Sequence, residues 1–143
     1  MSYVKVMIHA VWGTKNNQNL ISSEVRPILI DHIRENAKAK GIFIDTLNSQ
    51  PDHVHCLFAL NADMALSKAL NLMKGESSFW ANKQHIINFH FGWANDYFAA
   101  SVSDSQLNKV RDYIRNQDEH HRKETYTDEY NKFMNSYGFE IHG

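Results

Sequence analysis

An α+β fold built on one antiparallel sheet is predicted by two observations. Side chains alternate between two faces at residues 3–14 and 53–60, and 42–48 and 97–102 read as two further strands. In chain order, apolar stripes at three- and four-residue spacing fall between the first and second of these segments, between the third and fourth, and after the fourth. The order is therefore βαββαβ followed by helices. That is the ferredoxin-like pattern, an antiparallel sheet with helices on one face plus C-terminal helices.

Each element has its own reason. In the first strand Val4, Val6, Ile8, Ala10 and Trp12 alternate with Tyr3, Lys5, Met7, His9 and Val11. The second set is apolar enough for a central strand covered on both faces. A polar loop, 13–19, follows. Ser22 or Ser23 can cap the first helix, with Glu24 in its first turn and Pro27 near its start. Val25, Ile28, Leu29, Ile33 and Ala37 form its stripe, and Gly41 ends it. A turn at 49–52 joins the second and third strands as a hairpin. Asp63 is positioned to cap a second helix running to about residue 83, with Leu66, Ala69, Leu70 and Met73 as its stripe. Residues 85–95 carry many aromatics and few helix signals, and read as a structured loop or short strand. Asp104 or Ser105 can cap the third helix, whose stripe is Leu107, Val110, Ile114 and His121. A short helix over 128–137 closes the chain.

The 143 residues suit a single domain over 1–143, and 43% apolar content supplies one core. A net charge of −1 is unlike a general polyanion binder, so any nucleic-acid contact rests on a local patch. The lone Cys56 excludes an internal disulfide and fits a reducing, cytoplasmic setting. No apolar run approaches the roughly 20 residues of a membrane span, and the N-terminus is not a signal peptide.

The chemistry begins at Pro51-Asp52-His53-Val54-His55-Cys56-Leu57-Phe58. Val54, Cys56 and Phe58 share one face of this strand, and His53 and His55 share the other. The two imidazoles stand roughly 7 Å apart along the strand, a spacing suited to two ligands of one metal ion. Asp52 can either orient a histidine or only shape the turn after Pro51. On the third helix Tyr113 and Gln117 are four apart and project together. A phenol is a possible nucleophile, and an amide oxygen one turn away is a possible ligand for a hard metal. His120 competes as third ligand, and Tyr126 and Tyr130 are rival nucleophiles. His9 reads as a buried, hydrogen-bonded histidine.

The His53-to-Leu60 strand, the Tyr113-x-x-x-Gln117 helix and the Glu119-His120-His121-Arg122-Lys123 run resemble the single-tyrosine HUH transposases of small bacterial insertion sequences. These are the TnpA-like and REP-associated tyrosine transposases. Ile8-His9-Ala10-Val11-Trp12, Lys74-Gly75-Glu76-Ser77-Ser78 and Gly92-Trp93 also sit where that family has similar residues. The resemblance implies a magnesium or manganese ion held by His53, His55 and Gln117. It implies attack by Tyr113 on single-stranded DNA to give a 5′-phosphotyrosine link and a free 3′-OH, and recognition of hairpins at element ends. It also implies a homodimer in which the tyrosine helix can serve the partner's histidines. Lys74, Ser77 and Ser78, with Arg115, are the phosphate contacts it suggests. Trp80, Phe89, Phe91, Trp93, Tyr97 and Phe98 are candidates either for core or for stacking unpaired bases. Three rival readings stand beside it: a non-catalytic nucleic-acid-binding module on the same sheet, a domesticated DNA nickase, and a zinc hydrolase using His53, His55 and His120.

Overall fold

The computed structural model describes residues 2–120 and 125–137. Its sheet has four antiparallel strands in the order β2-β3-β1-β4. These are β1 (Met7–Gly13), β2 (Phe43–Gln50), β3 (His53–Ala59) and β4 (Phe98–Val102). The helices are α1 (Val25–Ala39), α2 (Leu66–Lys83), α3 (Leu107–Arg115), α4 (Gln117–His120) and α5 (Tyr126–Tyr137). The ferredoxin-like order is thus present, with β1 and β3 at the centre of the sheet.

The alternation in β1 and β3 decides which layer covers which face. Even-numbered residues Ile8, Ala10, Trp12, Val54, Cys56 and Phe58 form one core with Leu29, Ile33, Leu70 and Met73 of α1 and α2. Odd-numbered Met7 and Leu57 form a second core with Leu107 and Ile114 of α3. The two crossover helices therefore cover one face and the C-terminal helices the other. Every residue of β1 is buried, as both-sided coverage requires.

Several element ends differ from the sequence expectation. β1 starts at Met7, because its partners run out there: Met7 pairs with Ala59 and Val102, the last residues of β3 and β4. Val4 and Val6 lie outside, more than a third exposed. At the start of α1 the Val25 N–H donates to Ser22 Oγ at 3.2 Å, while Glu24, the residue directly before the helix, makes no side-chain cap bond. Gly41 follows the helix at φ +77°, a left-handed conformation that favours glycine. Asp63 does not cap α2, which begins at Leu66 behind an Ala65 without a side-chain cap bond. A short 3-10 turn at Asp104–Gln106 precedes α3. Residues 85–95 are loop apart from one bridge between Thr14 and Trp93. α5 begins at Tyr126, two residues before the expected start.

The main local surprise is a break in the third helix. Asn116 leaves helical geometry (φ −96°, ψ 23°), so Tyr113 ends up on α3 and Gln117 opens α4. Asp118 fastens the break to the rest of the fold. It accepts both guanidinium nitrogens of Arg26, at 2.8 and 3.1 Å, and the Gln50 amide at 2.8 Å. The Asn48 amide donates to the Ile114 carbonyl at 2.9 Å, tying β2 to α3.

Candidate active site

His53 and His55 lie on the odd face of β3, opposite Gly13 and Val11 of β1. Both are wholly buried, beneath the C-terminal helices. Each ring is held through its Nδ1. His53 Nδ1 lies 2.7 Å from Asp52 Oδ1, in the turn before β3. His55 Nδ1 lies 3.0 Å from His9 Nε2. His9 and His55 are diagonal neighbours across the β1–β3 ladder, within reach of side chains of this size. Asp52 is thus hydrogen-bonded to a histidine, and His9 is buried and hydrogen-bonded as expected.

With both Nδ1 atoms engaged, both Nε2 atoms face one carboxylate. Glu129 Oε1 lies 2.7 Å from His55 Nε2 and 3.3 Å from His53 Nε2. The ligand atoms of His53, His55 and Glu129 all lie within 4.8 Å of one another, and all three residues are buried. The other oxygen, Oε2, accepts the Tyr113 hydroxyl at 2.5 Å. The Tyr113 ring stands 5.6 Å from the His55 ring, centroid to centroid, within the same chain. A single buried carboxylate therefore links the phenol to the histidine pair. Burial at this depth is tolerable only for a charge that is paired and hydrogen-bonded.

Glu129 was not found from sequence. It lies 74 residues beyond His55, on a helix expected only as a closing element. One signal was available. Tyr126, Tyr130 and Phe133 form an aromatic stripe at helical spacing, and Glu129 sits within it. A carboxylate in an apolar stripe is a buried charge in search of partners. The stripe packs as that reading requires. Tyr126 stacks on His53, with centroids 4.1 Å apart and planes 10° from parallel. Phe133 touches the His9, His55 and Tyr113 rings edge-on or tilted.

The electrostatics follow from this burial. Desolvation alone would lower the His53 pKa, but its bonds to Asp52 and Glu129 raise it above the ordinary histidine value. Burial, reinforced by neighbouring His55, pushes His9 down to about 3, so its ring is neutral. A neutral His9 Nε2 can accept a hydrogen bond from the His55 Nδ1–H, which leaves the outward Nε2 lone pair of His55 for an ion. Burial also pushes the Tyr126 phenol up, with Asp52 and Glu129 adding to the shift.

The other expected site residues are distributed as follows. Gln117 is fully buried, and its amide nitrogen donates to the Tyr113 carbonyl at 3.2 Å. His120 ends α4, and its side chain lies outside the described residues, as do 121–124. Arg115 is exposed. Lys74 is buried, and its ammonium donates to the Ala94 and Asn95 carbonyls at 2.9 and 3.2 Å. Ser77 requires a correction as a phosphate contact. It is fully buried, donates to the Lys74 carbonyl and accepts the Trp93 indole N–H at 3.0 Å. Its hydroxyl fastens α2 to the 85–95 loop. Ser78 is half-buried and donates to the Gly75 carbonyl. Among the aromatics, Phe91, Trp93 and Phe98 are core, while Phe79, Phe89 and Tyr97 are exposed. His32 is paired with Glu76 at 2.7 Å and stacked on Trp80.

An antiparallel ferredoxin-like sheet with a buried histidine pair on its central strand and a tyrosine beside it defines the class: DNA-cleaving and strand-transferring enzymes of the single-tyrosine type. The chain belongs to the IS200-like transposase family, whose model matches residues 2–117. It is similar to the ISDra2 transposase TnpA of Deinococcus radiodurans, 29% identical over 114 residues, or 76% of this chain and 81% of that protein. A crystal structure of a putative transposase from the same organism superposes with a TM-score of 0.63 at 27% identity, covering 82% of this chain and 95% of that one. The fold is shared as well with a REP-associated tyrosine transposase solved bound to a REP hairpin. That match has a TM-score of 0.62 at 14% identity and covers 85% of this chain and 72% of that one. Glu129 and the whole of α5 lie beyond the matched family residues. Among the described residues no helix is long and apolar enough to cross a membrane.

Proposed function

We propose that this chain is a divalent-metal-dependent transposase that cuts and rejoins single-stranded DNA through a covalent link to Tyr113. The observation that carries the proposal is the convergence of the Tyr113 hydroxyl and both catalytic-strand histidines on Glu129. His53 Nε2, His55 Nε2 and Glu129 Oε1 are a donor set that fits a divalent ion: compact, buried and already oriented from behind. The Gln117 amide oxygen is a further candidate donor, as the family resemblance implies. Magnesium or manganese is the expected ion, and when bound it would polarise a phosphate oxygen and offset developing charge.

The remaining work falls to the chain itself. The Tyr113 oxygen attacks the scissile phosphorus, forming the O–P bond as the bond from phosphorus to the 3′ oxygen breaks. The phenol proton passes to Glu129 Oε2, which already accepts it as a hydrogen bond. Tyrosine ordinarily ionises near pH 10, so a positioned acceptor is needed at neutral pH. The departing 3′ oxygen takes up a proton and leaves as a 3′-OH. Because the phosphotyrosine link retains the bond energy, a 3′-OH from another strand can reverse the step and join new ends. No nucleotide cofactor is required.

Within one chain the phenol already stands beside its own histidine pair, which supports attack in cis. Exchange of tyrosine helices within a homodimer, implied by the resemblance, is not needed to assemble these groups. The substrate is proposed to be hairpin-bearing single-stranded DNA in the cytoplasm, and the whole of 1–143 is proposed to act as one domain. Arg115 and Ser78 remain proposed backbone contacts.

Labelled hairpin oligonucleotides incubated with the protein and Mn²⁺ test the proposal on a denaturing gel. A labelled band at protein size that vanishes with EDTA supports it. Hairpin binding with metal-independent behaviour and no covalent product would favour the non-catalytic binding module instead.

A further inference from the structure

Beside the histidine pair a cavity of about 280 Å³ opens to solvent. Its walls include the rings of Tyr97, Tyr126 and Tyr130, and Asn17, Asp96 and Thr127 also line it. We propose that this cavity binds one unpaired nucleobase, that of a nucleotide flanking the phosphate cut at Tyr113. The inference rests on the catalytic reading above and names a part of its substrate.

Three features carry it. The first is shape and surface. The volume lies at the small end of ligand sites, suited to a single planar group. Tyr97 and Tyr130 are each more than a third exposed, although large aromatics favour burial. Flat exposed rings are what an unpaired base stacks on, whatever its identity. Two of these rings are fixed in place. The Lys74 ammonium sits 5.5 Å from the Tyr97 centroid, and Phe98 packs edge-on against Tyr130 at 4.7 Å.

The second is continuity with the reacting groups. Tyr126, one wall of the cavity, stacks directly on His53. Gly13, another lining residue, is paired with His53 in the β1–β3 register. A side chain at Gly13 would meet Tyr126 Cε2 at 3.0 Å, so the absence of a Cβ lets this ring lie against the sheet. A base seated here holds its own sugar and phosphate next to the histidines.

The third is charge. Asp96 lines the cavity and repels a phosphate, which argues for a base in the cavity rather than the backbone. A carboxylate accepts hydrogen bonds only, whereas Asn17 and Thr127 donate and accept. Adenine, cytosine and guanine carry an exocyclic amino group for Asp96, whereas thymine offers only its ring N3–H. The site therefore favours an amino-bearing base over thymine.

The test uses the full chain with Mn²⁺ and short single-stranded oligonucleotides carrying 5-iododeoxycytidine at one position at a time. After irradiation, tryptic peptides are mapped for base cross-links and, in the same digest, for a phosphodiester adduct on Tyr113. A cross-link to Tyr97, Tyr126 or Tyr130 is expected. Tyr97→Ala should weaken binding of cytosine-containing oligonucleotides about 5- to 150-fold, the range for one stacked base. Asp96→Asn should erase the preference for cytosine over thymine. Cross-links confined to other surfaces, or unchanged affinity and base preference in both variants, would overturn the site. A Tyr113 adduct without a cavity cross-link removes the base site alone. A cavity cross-link without the adduct keeps the base site and removes the catalytic reading.

Discussion

The Tyr113 hydroxyl donates to Glu129 Oε2 at 2.5 Å, although the two residues sit on different helices and 16 positions apart. The opposite oxygen of the same carboxylate faces His55 and His53. The phenol and the histidine pair are therefore coupled through one side chain.

Glu129→Gln keeps the shape of the side chain and removes its charge. Two imidazoles and a neutral amide attract a divalent cation less than two imidazoles and a carboxylate do. We expect Mn²⁺ affinity, measured by titration calorimetry, to fall at least about 10-fold. Unchanged affinity would take Glu129 out of the donor set and return the third position to Gln117.

His9→Phe removes the acceptor behind His55 while keeping a flat ring between β1 and α5. The His55 Nδ1 then loses its 3.0 Å partner, and the tautomer with an outward Nε2 lone pair is no longer favoured. Metal affinity should fall about 10- to 100-fold, the range for partners of this kind. A thermal melt close to wild type would show that the loss is not unfolding.

Ile114→Ala tests the second core. Ile114 is fully buried between α3 and the odd face of the sheet, one residue from Tyr113. Truncation should cost about 2–5 kcal/mol in denaturant unfolding. A cost under 1 kcal/mol, on the order of a conservative swap, would mean that α3 is not packed as described.

Asp45 and Arg111 make the pH prediction. The Arg111 guanidinium donates to both Asp45 oxygens, at 2.9 and 2.8 Å, and holds this carboxyl below its ordinary pKa, with burial opposing. A depressed folded-state pKa contributes stability that is full above the unfolded value, near 4, and is lost as pH falls through the folded value. Asp45→Asn should therefore melt below wild type at pH 7, and the gap should close in acid, below about pH 4. A gap independent of pH would contradict the assignment.

Much of the fold was legible because period and burial agree. The even and odd residues of β1 and β3 separate into the two cores, and Ser22 and Gly41 mark both ends of α1 where their chemistry places them. His53 and His55 were legible because a strand forces residues two apart onto one face. Glu129 was not, because its role depends on a tertiary approach that no local spacing encodes. The break at Asn116 was equally hidden. It involves neither proline nor glycine and is held by Asp118 bonds to Arg26 and Gln50, distant in sequence. Ser77 misled in the opposite direction. A hydroxyl one turn from a lysine resembles part of a phosphate cradle, but Ser77 is buried and bonded to the Lys74 carbonyl and the Trp93 indole.

The most direct test of the central claim is the covalent adduct in Tyr113→Phe. Wild type and variant are incubated with Mn²⁺ and the same labelled hairpin oligonucleotides, and hairpin binding is measured in parallel. The account predicts a labelled protein band for wild type, none for the variant, and binding within a few-fold of each other. An adduct that persists in Tyr113→Phe would contradict the account and move the nucleophile elsewhere, with Tyr126 the next ring against His53.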